Sequence, residues 1–256
     1  LETILATAGA ARQVMTTTDM AVTGVGEGNA LRRNASLLGI QINPGFPNDL
    51  ITVDEAPGNL VFGNLTLRIV GPTKKNLEEL KKKWVEWLDK YEVGIATGDP
   101  FIAAMADRSI PNLGSIMFLA EAEGKKILFT GDGRGDHLIQ GLGQTNLLDT
   151  NGDIHVDVLK VPHHGSDRNV TKKFFKTVTA DKYVISANGK DDNPDMATLI
   201  WIVEAARDQN RAIEIFVTNE TESTEKLVEE YDPDDYGYRL KEGEKGSHST
   251  TLVIAP

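Results

Sequence analysis

Apolar residues recur at helical spacing in residues 74–90, KKNLEELKKKWVEWLDK. Leu77, Leu80, Trp84, Trp87 and Leu88 form one stripe, with charged residues between them. That period predicts a surface helix docked by one face. Glu78–Lys82 and Glu79–Lys83 stand four apart on its wet face, where opposite charges support a helix. A second stripe, Ile4, Leu5, Ala8, Ala11 and Met15, predicts a helix over 2–15. A short helix is expected from Asn29 to Leu38, closed by Gly39. The pattern then alternates over 40–71, as strands do, and LVFGNLTLRIVGP predicts a hairpin turning at Gly63-Asn64. Residues 92–113 have no clear period and are expected to form a long loop with a helical turn. Loops of that length inside a domain are often functional.

From residue 115 the pattern changes. SIMFLAEAEGKKILFTGD reads as two strands around Glu123-Gly124. ILFT is apolar throughout, as in a sheet covered on both faces. A short helix is expected at about 136–142, then a strand in IHVDVLKVP, a short helix in TKKFFKTV and a strand in DKYVISAN. Asn193 as cap, Pro194 in the first position and Asp195 in the first turn open a helix running to about Asp208. AIEIFVTN reads as a strand, the acidic stretch 219–235 as a solvated helix or loop, and YRLKEGEKGSHSTTLVIA as a closing hairpin. No internal repeat is present. This alternation of strand and helix predicts layered α/β packing, with sites at the C-terminal ends of strands.

The 256 residues suit one large domain or two small ones, and 40% hydrophobic with 25% charged residues is enough for a packed core. No apolar run reaches the roughly 18–20 residues that cross a bilayer. The start, LETILATAGAARQV, has neither a methionine nor a basic region. It is expected to be the interior of a longer, cytoplasmic protein rather than a secretory signal. The chain has no cysteine, so any metal must be held by His, Asp or Glu. A net charge of −11 disfavours tight non-specific nucleic-acid binding, yet leaves room for a local cleft that takes a phosphate ester. The Asn-x-Ser/Thr triplets at Asn34, Asn64, Asn169 and Asn219 are read as incidental.

Two strand ends carry chemistry. ILFT ends at Gly131-Asp132, and VLKVP ends at His163-His164, a pair in a chain with five histidines. Carboxylate oxygen and imidazole nitrogen together suit Zn²⁺, Mn²⁺ or Fe²⁺. Neighbouring strands lie about 4.8 Å apart, so their ends can converge on one ion. Gly131, Gly133 and Gly165 allow sharp backbone turns beside these residues. The plainer alternatives are an aspartate that only forms a turn, and a histidine pair with one ring buried and one exposed. Types and spacing alone leave both open.

LFTGD followed about thirty residues later by DVLKVPHHGS resembles the metallo-β-lactamase fold, an αββα sandwich. More narrowly, it is similar to the branch typified by the soluble domain of the DNA-uptake protein ComEC. FFKTVTADKYVISANGKDDNPDMATL matches that branch's following helix, serine-ended strand and turn, and NLGSIMFLAEAEGKKILFTGD its preceding strand pair. The resemblance covers about residues 60–205. It implies one domain over 1–256, incomplete at its N-terminus, and a metal-dependent hydrolase acting on phosphodiester or related esters.

By the same resemblance, Asp132 bridges two metal ions, zinc most readily, and His163 or His164 is the late histidine ligand. His163 is favoured because it comes first after the strand, with the other ring beside the substrate. Ser166 and Lys190 are candidate substrate contacts, and Asp167 or Asp157 would orient a ligand histidine. The family's His-x-His-x-Asp-His cluster is absent, since the first histidine is His137. Gly71 stands where the family often has a histidine before proline, and Asp191 and Asp192 stand near its late histidine. The expected explanation is a cluster upstream of Leu1, which leaves the isolated 256 residues inactive or weakly metallated. The alternative is a scaffold or partner protein that keeps the fold without metals and engages another protein through its acidic surface and the 92–113 loop. Gly24–Gly28 loosely resembles a dinucleotide loop but lacks its spacing. Arg134-Gly135-Asp136 is read as a helix start, His155 as a strand residue and His248 as solvated.

Overall fold

The computed structural model describes residues 28, 30–97, 110–244, 249 and 251–254. The expected helix over 2–15, most of the Gly24–Gly28 loop, and His248 lie outside them.

Helix α1 (30–37), the first among the described residues, ends as expected at Gly39, whose φ of +68° suits a glycine. The strands expected directly after it do not form. Residues 40–58 instead hold short 3₁₀ turns at Pro47–Asp49 and Val53–Glu55. Pro44, Pro47 and Pro57 remove N–H donors, and Asn43 and Asn48 take positive φ, so no ladder can run through here. The hairpin itself is present: β1 (Asn59–Phe62) pairs antiparallel with β2 (Leu65–Gly71) across Gly63-Asn64.

Helix α2 (Lys74–Thr97) is longer than predicted and takes in the first residues of the expected loop. Its start is a reciprocal cap. The Thr73 N–H donates to Asn76 Oδ1 at 2.9 Å, and the Asn76 N–H donates to Thr73 Oγ1 at 3.1 Å. Leu77, Leu80 and Trp84 are half-buried, as the stripe requires, and Glu79–Lys83 closes at 3.0 Å. Leu77 and Leu80 face Gly114 in the 3₁₀ turn Ile110–Gly114, which leads into β3 (Met117–Ala122).

β4 (Lys125–Phe129), β5 (Ile154–Lys160), β6 (Val178–Ile185), β7 (Ile213–Val217) and β8 (Tyr238–Glu242) complete one eight-stranded sheet in the order β1 to β8. Pairing is antiparallel from β1 to β4 and parallel from β4 to β8. The α/β class is therefore as the alternation implies, and among the described residues there is one mixed sheet. Two strand expectations change. β4 is not covered on both faces: Leu128 is fully buried, but Phe129 is 38% exposed and stacks on Phe118 at 4.9 Å between ring centroids. The closing hairpin is replaced by β8 lying parallel to β7, and the described residues beyond Glu242 are not strand.

The connections are helices α3 (Gly135–Gln144), α4 (Lys172–Thr177), α5 (Met196–Asp208), α6 (Glu222–Glu230) and α7 (Pro233–Tyr236). Leu138, Phe175, Leu199, Ile202 and Leu227 from α3 to α6 join Val156, Tyr183 and Ile215 of the sheet in one core. The acidic stretch is thus docked through Leu227 rather than wholly solvated, and Thr221 caps α6. Helix α5 starts later than expected. Asp195, not Asn193, is its N-cap.

Helix α3 lies close on β2. A Cβ at Gly141 would overlap the carbonyl oxygen of Val70, and backbone cannot yield as a flexible side chain does. Gly141→Ala is expected to cost about 2 kcal/mol, in the range of overpacking a core. Urea unfolding measures it, and an unchanged midpoint would show that α3 rides further from the sheet.

Candidate functional site

The parallel strands β4 to β7 end on the same edge of the sheet, and the loops leaving those ends line a cleft of about 1210 Å³. Asp132 follows β4, His163 and His164 follow β5, Ser186 and Asp191 follow β6, and Thr218 follows β7. These residues lie at the C-terminal ends of parallel strands, where the alternation of strand and helix places a site.

One backbone oxygen gathers the first two loops. The Gly131 carbonyl accepts the His163 N–H at 3.1 Å and Lys160 Nζ at 3.2 Å. Beneath it, buried Thr130 donates its hydroxyl to the Lys160 carbonyl at 2.6 Å. The turn is tight on both sides. Gly131 has a φ of +51°, and a Cβ at Gly133 would meet Met117 Sδ at 2.5 Å. Burial pulls the Lys160 ammonium below its ordinary pKa, while the nearby Asp132 charge opposes that shift.

The histidine pair sits in a 3₁₀ turn, Pro162–Gly165, and both residues are left-handed: φ is 46° at His163 and 56° at His164. Side-chain residues seldom adopt this region, and such strain gathers at functional sites. The rings diverge, with centroids 6.1 Å apart. His164 Nδ1 bonds the backbone carbonyl of Ser186. A carbonyl only accepts, so Nδ1 carries the proton, and in the neutral ring Nε2 keeps a lone pair. That Nε2 lies 3.6 Å from Asp132 Oδ1. His163 Nδ1 instead faces Asn169 Oδ1 at 2.8 Å. Chain order favours His163 as the partner of the aspartate; the geometry brings His164 there.

Two ligands of one tetrahedral zinc, each about 2.0–2.2 Å from the ion, stand about 3.3–3.6 Å apart. The Asp132–His164 separation fits one edge of such a shell. It does not by itself hold two ions. Among the described residues no group of three or more His, Asp or Glu side chains is gathered for a metal. Asp191, Asp192 and Asp195 line the same cleft without joining this pair.

The remaining candidates divide. Ser166 is nearly buried at the cleft wall, where its N–H donates to the His163 carbonyl at 2.9 Å. Lys190 belongs to the 3₁₀ turn Lys190–Asp192 that borders the cleft, and its side chain lies outside those described. Asp167 lines the cleft, with its N–H donating to Asp195 Oδ2 at 2.8 Å. Asp157 does not orient a histidine. It accepts the Lys126 N–H at 2.8 Å and pairs with Lys125 at 3.4 Å, tying β5 to β4. Gly71 does not face the cleft as an empty ligand position. It is buried, and a Cβ there would overlap the Met117 side chain. His155 bridges Thr179 at 3.0 Å and Asp181 at 3.3 Å within the sheet. Arg134 and Asp136 close on each other at 2.8 Å at the start of α3.

Sequence reading missed Lys160 and Asn169. A lysine at the end of a strand of alternating apolar and polar residues was the only signal for the first, and Asn169 was visible only as an incidental triplet. No helix among the described residues is long and apolar enough to cross a membrane. No protein-family model matches the chain, and no curated protein matches it.

Proposed function

We propose that this cleft belongs to a metal-dependent hydrolase of the metallo-β-lactamase superfamily, its one described sheet forming half of an αββα sandwich, with a cytoplasmic setting, acting on phosphodiester or related esters. One observation supports this reading above the others. Two parallel strands deliver a carboxylate and an imidazole to one point, with the ring's other nitrogen tied to a backbone carbonyl. Such a tie fixes the tautomer that can bind a metal.

In this reading Asp132 and His164 hold one edge of a zinc shell, and the other ligands come from outside the described residues. When bound, zinc lowers the pKa of water toward neutrality and so supplies a nucleophile. The chain's own part is positional. The Ser186 carbonyl orients His164, and the Gly131 carbonyl keeps the two loops in register. Arg168 lines the cleft and supplies a cation for an anionic ester, beside Ser166 and Lys190, the expected contacts for substrate oxygens.

A second reading is a scaffold that keeps the fold without metal. It has one observation in its favour: Asp132 and His164 satisfy each other as an ion pair once the ring is protonated.

Zinc titration of the chain separates the two readings. Saturable binding at one site is expected, raising stability by about 2.7 kcal/mol at free zinc a hundredfold above Kd and reversed by chelator. Hydrolysis of bis(p-nitrophenyl) phosphate is expected only in a protein that supplies the remaining ligands. A protein that supplies the remaining ligands, yet binds no zinc and melts identically with chelator, supports the scaffold.

A further inference from the structure

Asn169 is 7% exposed and sits in the turn after Ser166. All of its polar groups are engaged. Its N–H donates to the Ser166 carbonyl at 3.3 Å, and its carbonyl accepts the Gly135 N–H at 2.8 Å. Its Oδ1 faces His163 Nδ1 at 2.8 Å, and its Nδ2 donates to the Asp132 carbonyl at 3.4 Å. One side chain therefore touches both loops that form the cleft.

The orientation of the amide follows from its partners. With nitrogen and oxygen exchanged, Oδ1 would face the Asp132 carbonyl, acceptor against acceptor. With Oδ1 toward the ring, His163 Nδ1 must carry the proton. A competitor stands nearby. Asn112 Nδ2 lies 3.4 Å from the same Nδ1 and could donate only to an unprotonated nitrogen. The ring nitrogen cannot serve both partners, and the shorter contact, made by a buried residue, decides between them.

We propose that Asn169 is a positioning residue that holds His163 in its Nδ1–H tautomer, leaving Nε2 as an acceptor in the cleft, and ties the Asp132 peptide to the same turn. The use of that acceptor in metal or ester chemistry rests on the hydrolase reading; the tautomer itself does not.

The test is a long-range ¹H–¹⁵N spectrum of the histidine rings in the metal-free chain, at about pH 8.5, above the usual histidine range. Wild type is expected to show His163 with Nδ1 protonated. Asn169→Leu removes both side-chain bonds and hands the ring to Asn112, so the proton is expected on Nε2. Asn169→Asp keeps an acceptor and should restore the wild-type pattern, and Asn112→Leu should leave it unchanged. Zinc affinity is expected to fall about tenfold in Asn169→Leu, because the Asp132 peptide loses the bond that ties it to the same turn.

An Nε2–H ring in wild type overturns the proposal even where a variant fails to fold. So does a tautomer that Asn169→Leu leaves unchanged. A tautomer switch, with no zinc bound even in a protein that supplies the remaining ligands, supports the positioning role and removes the metal reading. Zinc binding with an insensitive tautomer does the reverse.

Discussion

His164→Ala is expected to weaken zinc binding at least about 100-fold, and His163→Ala only about tenfold. The first removes one of two groups that face each other at 3.6 Å, the separation of two ligands on one ion. The second removes a neighbour whose Nδ1 is engaged by Asn169, an effect of the size seen when residues around a metal site are changed. Asp132→Ala should match His164→Ala, because an edge with one corner missing binds no better whichever corner is lost. Isothermal titration with zinc, with melting as a control for folding, ranks the three variants. The reverse ranking, with His163→Ala the worst, would return the ligand role to the residue that chain order favours and would mean that the Asp132–His164 contact is only an ion pair.

That contrast shows what the sequence makes legible. TGD and HHGS announce themselves because the two elements in this order are specific together, though weak apart, and parallel strands bring such ends to one edge. Which ring turns inward depends on backbone torsion. Both histidines take left-handed φ, and the rings then part to different partners, the Ser186 carbonyl and Asn169. Neither partner has a local signature. Ser186 contributes its main chain, which any residue would supply. Asn169 is recognised only after folding brings the turn beneath the Asp132 loop.

The same division holds for the scaffold. The strand–helix alternation after residue 115 was readable, and so was the hairpin at Gly63-Asn64. Residues 40–58 misled because their apolar alternation is interrupted by prolines and by Asn residues at positive φ, which break ladders. β4 misled because three apolar residues and a threonine in a row suggest two covered faces, whereas Phe118 and Phe129 stack on each other at the surface instead. The C-terminal strand was readable as a strand, but its parallel pairing with β7 was not, since a long-range partner leaves no trace in local pattern.

Glu214→Gln is expected to remove a large part of the acid-sensitive stability. Glu214 lies on β7 between two lysines on the same face, Lys182 at 2.7 Å and Lys241 at 2.8 Å, while Ile213 and Ile215 point into the core. Bonds from Lys182, then from Lys241, lower its pKa from 4.5 to about 2. Its side chain is 22% exposed and that of Lys241 47%, so solvent screens part of the interaction. Such a shift corresponds to at most about 3.4 kcal/mol, and roughly 2 kcal/mol after screening. The sign follows from proton binding. Between the two pKa values the unfolded chain binds more protons at this group, so stability falls as pH falls. The contribution is complete above about pH 5 and is lost as pH drops through 4.5 toward 2. Denaturant titrations at several pH values should therefore show Glu214→Gln less stable by roughly 2 kcal/mol near neutrality, with the gap closing in acid. A gap that stays constant across that window would mean that the loss comes from packing or from the stranded Lys182, and that the carboxylate is not held ionised by its two neighbours.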